Sequence, residues 1–108
     1  MAERILPPAK GTILKLAVIA ELGDGIHMDD VDFESTFFHT GITTKSQTVK
    51  KEEMIRISED EYLACVDTSI VGVGEYCMRF TAWLPDTDVE GDLRQESVVT
   101  PTGIRVTN

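Results

Sequence analysis

Glu61-Tyr62-Leu63-Ala64-Cys65-Val66-Asp67-Thr68-Ser69-Ile70-Val71-Gly72-Val73-Gly74-Glu75-Tyr76-Cys77-Met78-Arg79-Phe80-Thr81-Ala82-Trp83-Leu84 is the stretch that decides the fold. Two runs rich in β-branched and aromatic residues, which suit a pleated and half-buried surface, flank Gly72 and Gly74. Glycine supplies the backbone angles of a tight reversal, and Pro85-Asp86-Thr87-Asp88 closes the unit. The spacing predicts a β-hairpin centred near Val71. Such a hairpin puts Cys65 and Cys77 opposite each other on adjacent strands. Two small apolar residues on a sheet face explain the pair better than a structural disulfide, because a stapled secreted domain carries more cysteines at tighter spacing.

The same alternation recurs outward from this stretch. In Thr12 to Leu22, Leu14, Leu16, Val18 and Ala20 share one face. Ile13, Ala17 and Ile19 lie on the other with Lys15, so both faces are expected to be partly covered. Gly23-Asp24-Gly25 turns the chain. Val31 to His39 follows, with Val31, Phe33, Ser35 and Phe37 as its inner row. Thr43 to Val49 is polar and edge-like. Lys50 to Ile57 combines helix formers with an Ile55/Ile57 alternation and reads as a short strand or one helical turn. Leu93 to Thr100 is a further strand, Pro101-Thr102-Gly103 a turn, and Ile104 to Thr107 an extension. About seven short strands joined by turn signals predict an all-β fold, an immunoglobulin-like β-sandwich, with a barrel as the alternative. Tyr62, set between Glu61 and Cys65, is similar to the tyrosine corner of such sandwiches.

The chain divides into an extended arm, residues 1–10, and one sandwich domain, residues 11–108. Pro7-Pro8 holds the arm extended, and Ile5 and Leu6 give it apolar groups to dock. The 108 residues carry a net charge of -9, with 42% apolar and 27% charged residues. An acidic surface repels phosphate, so nucleic acid and anionic membrane are poor partners. No segment is long enough to span a bilayer. Ile13 to Ala20 is a poor signal-peptide core, because Lys15 interrupts it and Glu3 sits in the would-be basic region.

Candidate chemistry is sparse. Asp86-Thr87-Asp88-Val89-Glu90-Gly91-Asp92 resembles the first half of a calcium loop, but Ser97 stands where the closing bidentate Glu belongs. An acidic turn is the simpler reading. His27 sits near Asp24, Asp29 and Asp30, and His39 follows Phe38, but neither has a nearby His or Cys partner in sequence, and both read as solvated loop residues. Gly72-Val73-Gly74 lacks the third Gly and the following helix of a dinucleotide fingerprint. No nucleophile elbow or activated cysteine is framed. No catalytic, cofactor or metal residue is assigned, and no enzyme is expected.

Several stretches together resemble prophage-encoded tail and baseplate β-sandwich proteins, similar in plan to the N-terminal domain of the phage baseplate upper protein. They are Lys10-Gly11 through Leu14-Lys15-Leu16, Met28 through Glu34, Lys51-Glu52-Glu53-Met54, Tyr62 through Val66-Asp67-Thr68, Gly72 and Gly74, Leu84-Pro85-Asp86 and Leu93-Arg94-Gln95-Glu96. The resemblance implies a non-enzymatic structural module of a virion, assembled in the bacterial cytoplasm. It also implies contacts with other phage structural proteins or with further copies as a homo-oligomer. A calcium- or carbohydrate-binding adhesion module of a cell surface is the alternative.

Overall fold

The computed structural model describes residues 8–41 and 45–108. It is all-β: the described residues form seven strands in two antiparallel sheets, with one α-helical turn and two 3-10 turns between strands. The strands are β1 (Ile13–Ile19), β2 (Asp32–His39), β3 (Ser46–Lys50), β4 (Ile55–Ser58), β5 (Glu61–Asp67), β6 (Gly74–Pro85) and β7 (Leu93–Val106). The small sheet has the order β1-β5-β4 and the large one β3-β2-β6-β7.

Alternation places the core. In the small sheet Leu14 pairs with Val66, Leu16 with Ala64 and Val18 with Tyr62. In the large sheet Phe33 pairs with Ala82, Ser35 with Phe80 and Phe37 with Met78. Residues directly opposite share a face, so these two rows meet between the sheets. Leu16 is half-buried and the other eleven are buried. The Phe33 ring meets Tyr62 edge-on, with centroids 5.0 Å apart, and tilts against Phe80 at 5.6 Å. Large opposite small along the rows is how close packing is reached without strain.

The deciding stretch is not a hairpin. β5 and β6 belong to different sheets, and residues between them cross from one layer to the other. The crossing contains a helical turn, α1 (Thr68–Val71). Asp67 caps it by accepting from the Ser69 N–H at 2.9 Å, and the Gly72 N–H closes on the Thr68 carbonyl at 2.8 Å. Buried Thr68 ties the turn to the start of β1, donating from Oγ1 to the Thr12 carbonyl at 2.7 Å and accepting from the Gly11 N–H at 2.8 Å. Gly74 has φ 144°, and a Cβ there would lie 3.0 Å from that of His39, so glycine is required on both counts. Cys65 therefore faces Lys15 across β1, while Cys77 pairs with Phe38 and Pro101 in the other sheet, and both thiols are free.

Other expectations change as well. Ile13, Lys15, Ala17 and Ile19 are exposed, so among the described residues only one face of β1 is covered. Pro101-Thr102-Gly103 is not a turn but a bulge inside β7: Cys77 pairs with Pro101, and Glu75 with Arg105. Lys50 to Ile57 holds both readings in succession, a 3-10 turn at Lys51–Glu53 and then β4. The tyrosine bonded to backbone upstream is Tyr76, whose hydroxyl donates to the Gly72 carbonyl, rather than Tyr62. Of the arm, residues 1–7 lie outside the described residues. Ala9 forms a parallel bridge with Thr107, and the Thr107 N–H donates to the Pro8 carbonyl at 3.0 Å, so this part lies on the module's own final strand.

The sheets are also sewn together by Gln47. Its amide donates to the Cys65 carbonyl at 3.3 Å and accepts from the Asp67 N–H at 2.8 Å. β4 pairs only with residues 61–63 of β5, so this side chain serves the next part of that edge as a strand would.

Candidate functional site

Two places on the module have the makings of a site: a polar corner and an apolar groove. The corner is built where the loop before β2 meets the β4–β5 turn. A 3-10 turn at Met28–Asp30 begins there, with buried Met28 as its anchor. The Asp60 carboxylate holds it, accepting from the Met28 N–H at 3.2 Å and lying 2.9 Å from His27 Nδ1. Asp30 accepts from the His27 N–H at 2.9 Å. The Asp29 carboxylate receives Arg56 Nε and NH2, the latter at 2.7 Å, and the Tyr62 hydroxyl at 2.5 Å. Below the turn, Lys51 Nζ donates to the Met28, Asp29 and Val31 carbonyls at 3.2, 3.0 and 2.7 Å.

This wiring shifts proton affinities. Hydrogen bonds from Arg56 and then Tyr62 hold the Asp29 carboxyl down at about 2. The Asp60 contact raises His27, aided by the charges of Asp60, Glu59 and Asp30, and the same contact lowers Asp60. Burial raises Tyr62, and its bond to Asp29 adds to that. Each shift follows from an opposite charge or a hydrogen bond favouring the charged form, apart from the desolvated phenol.

His27 thus has partners that the sequence did not reveal. Its ring lies 3.7 Å from Glu59 Oε1 as well as 2.9 Å from Asp60 Oδ2. Ligand atoms of these three residues lie within 4.8 Å of one another, and no other such group occurs among the described residues. The set could offer one nitrogen and two oxygens to a divalent cation. Its present chemistry is that of a clamp, since His27 and Asp60 already satisfy each other and join segments 33 residues apart. His39 is not in a loop but ends β2, accepting from the Gly41 N–H through Nδ1 at 3.2 Å.

The acidic segment 86–92 is the loop between β6 and β7. Its backbone closes on itself, Asp86 N–H to the Asp92 carbonyl at 3.0 Å and Asp92 N–H to the Val89 carbonyl at 2.9 Å. Asp86 caps the Asp88 N–H at 3.0 Å and pairs with Arg94 Nε at 3.1 Å. Trp83 is half-buried on its sheet face.

The groove arises from unequal sheets. Three strands face four, and the inward row of β7 is left uncovered at Val98 beside the end of β1. The register places Val98 beside Phe80 and Thr100 beside Met78 on the inward face. Phe80 is 6% exposed and Val98 58%, so cover stops between β6 and β7. A cavity of about 480 Å³ opens there between the end of β1 and the β6–β7 floor, lined by Ile19, Leu22, Phe80, Val98 and others. A second of about 350 Å³ continues it along β1, sharing Ile19, Met78 and Thr100 with the first. The molecule measures 47 × 33 × 20 Å. Its radius of gyration is 15.0 Å, where a compact chain of this size has about 13 Å.

No helix among the described residues is long and apolar enough to cross a membrane. No protein-family model matches the chain, and no curated protein or solved structure matches it.

Proposed function

We propose that the chain is a non-enzymatic structural module that works through protein–protein contacts. The observation that carries this reading is the three-stranded small sheet, whose β1 edge is open among the described residues and lies beside an apolar groove. An open edge presents backbone donors and acceptors, and natural sheets blunt such edges unless they are used. The edge is not blunted by proline, and Lys15 is its one charged residue. The outer face of the same sheet is also apolar: Ala17, Leu63 and Ile55 form one row across it, with exposed Ile13 and Ile19 beside them. Contact surfaces of assemblies are built this way, with apolar groups at the centre and charges at the rim. At the polar corner, the His27 ring bonds to the Asp60 carboxylate rather than to a hydroxyl or thiol, which supports a clamp over a nucleophile's base.

Placement in a phage-like tail or baseplate is the form of this proposal that the sequence resemblance suggests. The immunoglobulin-like plan belongs to it. The Tyr76 bond to Gly72 supports that plan, while the strand order departs from the ABED/CFG arrangement, because β2 pairs with β6 instead of β5. Mass spectrometry of purified particles from the producing cell tests the proposal. It requires this chain at a fixed ratio to tail proteins. A chain found only free, and one that stays monomeric in sedimentation with the products of adjacent genes, would refute it.

A further inference from the structure

We propose that the vacant strand position beside β1 is a binding site for one extended segment of a partner protein. The segment has apolar side chains at alternate positions and a basic residue at the Glu21–Glu96 end. The inference rests on the contact role proposed above and names its site and the chemistry of its ligand.

Backbone supplies the first part of the recognition. In an antiparallel pair, alternate residues direct N–H and C=O toward the neighbour and the rest direct them away. β1 pairs with β5 along all seven of its residues and, among the described residues, with no strand on its other side. Its outward groups therefore form a ladder half, roughly 23 Å long at about 3.3 Å per residue. A segment laid against it becomes the fourth strand of the small sheet and gives each strand of the large sheet a cover.

Side chains supply the second part. The strand would lie above Met78, Phe80, Val98 and Thr100, which form a continuous floor on the inward face of β6 and β7. Strand residues alternate between faces, so every second side chain of the ligand enters the groove. Covering Val98 and the β1 end removes apolar surface from water without any change in the fold. Ile19 and Leu22 form the wall on the β1 side. Glu21 and Glu96 stand at this end of the groove, and Arg94 is already engaged by Asp86 and Glu96. A lysine or arginine on the ligand complements them and the overall charge of -9.

The shape of the site selects a lone strand. β7 extends beneath the vacant position, so a folded domain pairing through its own sheet edge would drive its second layer into β7. A second copy docking β1 against β1 would place two β7 overhangs in the same space. A single extended segment meets neither obstacle.

The test uses the whole purified chain. The probe is an acetylated eight-residue peptide that alternates threonine with valine and ends in lysine. Saturable binding is expected in calorimetry, and the outward amides of β1 gain hydrogen-exchange protection on binding. N-methylation of the alternate peptide nitrogens that face β1 abolishes binding, whereas N-methylation of the other set leaves it within threefold. Val98→Glu, at an exposed position that the fold tolerates, weakens binding at least tenfold. Ending the peptide in glutamate weakens it at least threefold. Lack of saturation at millimolar peptide, protection mapped to β3 or β4, or equal effects of the two methylation sets would overturn the proposal. So would a concentration-dependent dimer in which β1 is already protected, because a second copy would then be the occupant. A chain that enters particles yet fails the peptide test sinks this proposal and leaves the contact role standing.

Discussion

Replacing Lys51 by methionine tests how the polar corner is held together. Lys51 Nζ donates to the carbonyls of Met28, Asp29 and Val31 and lies 5.5 Å above the centre of the buried Phe33 ring. Methionine keeps most of the stem's packing and removes all of these. A hydrogen bond to a charged group is worth roughly 1.5–3 kcal/mol net, and a cation over a ring roughly 0.5–1 kcal/mol. The three bonds share one ammonium, which is desolvated once, and the half-buried carbonyls can turn to water. Lys51→Met should therefore cost about 2–4 kcal/mol rather than the full sum. In urea that lowers the midpoint by roughly 1–2 M at unchanged slope. Lys51→Arg keeps the charge, but its planar fork cannot aim three donors at converging carbonyls, so it should restore less than half of the loss. A cost below about 0.5 kcal/mol for Lys51→Met would refute the idea that this ammonium closes the turn.

Three further outcomes follow from the same geometry. The folded carboxyl of Asp29 sits at about 2 against an ordinary 3.8, so its contribution is present above pH 3.8 and is lost as pH falls toward 2. His27 is raised from 6.5, so its contribution is present below 6.5 and is lost as pH rises through the folded value. Melting temperature should therefore plateau between, with Asp29→Asn flattening the acid limb and His27→Gln the limb above 6.5; unchanged limbs would show that these pairs do not couple to folding. Tyr76→Phe leaves the Gly72 carbonyl without its partner and should cost about 1–3 kcal/mol in denaturant melts; a neutral result would mean that the crossing does not depend on this bond. Ser35 Oγ is the one buried side-chain polar atom without a partner among the described residues, so Ser35→Ala should be neutral or stabilising by up to about 1 kcal/mol, and a loss above that would reveal a missed partner.

Period-two alternation was enough to find β2, β5 and β6, because each has one face in the core and residues such as Phe33, Phe37, Val66 and Phe80 cannot face water together. Alternation says nothing about which sheet a strand joins, and there the hairpin reading failed. The signal that would have corrected it was present. Asp67-Thr68-Ser69 is a helix-start pattern and Gly72 a helix stop, so the connection holds a helical turn rather than a tight reversal. For β1 the outer row of Ile13, Ala17 and Ile19 suggested cover that the described residues do not provide. Apolar residues read the same in a core and on an open contact face.

The polar corner was invisible for a different reason. His27 and Asp60, like Asp29 and Arg56, are brought together across 33 and 27 positions by the β4–β5 turn folding over the loop. Sequence spacing carries no trace of such a meeting. The groove was hidden likewise, since it exists only because three strands cover four.

Native-state hydrogen exchange of the β1 amides, followed residue by residue in solution, tests the central claim most directly. The claim is that this sandwich keeps one strand position open. With β5 on one side only, amides of alternate residues between Ile13 and Ile19 should be slow to exchange and those of the intervening residues fast. Uniform protection of all seven amides at every protein concentration would mean that the edge is already covered within the chain, and the proposed contact site would be gone.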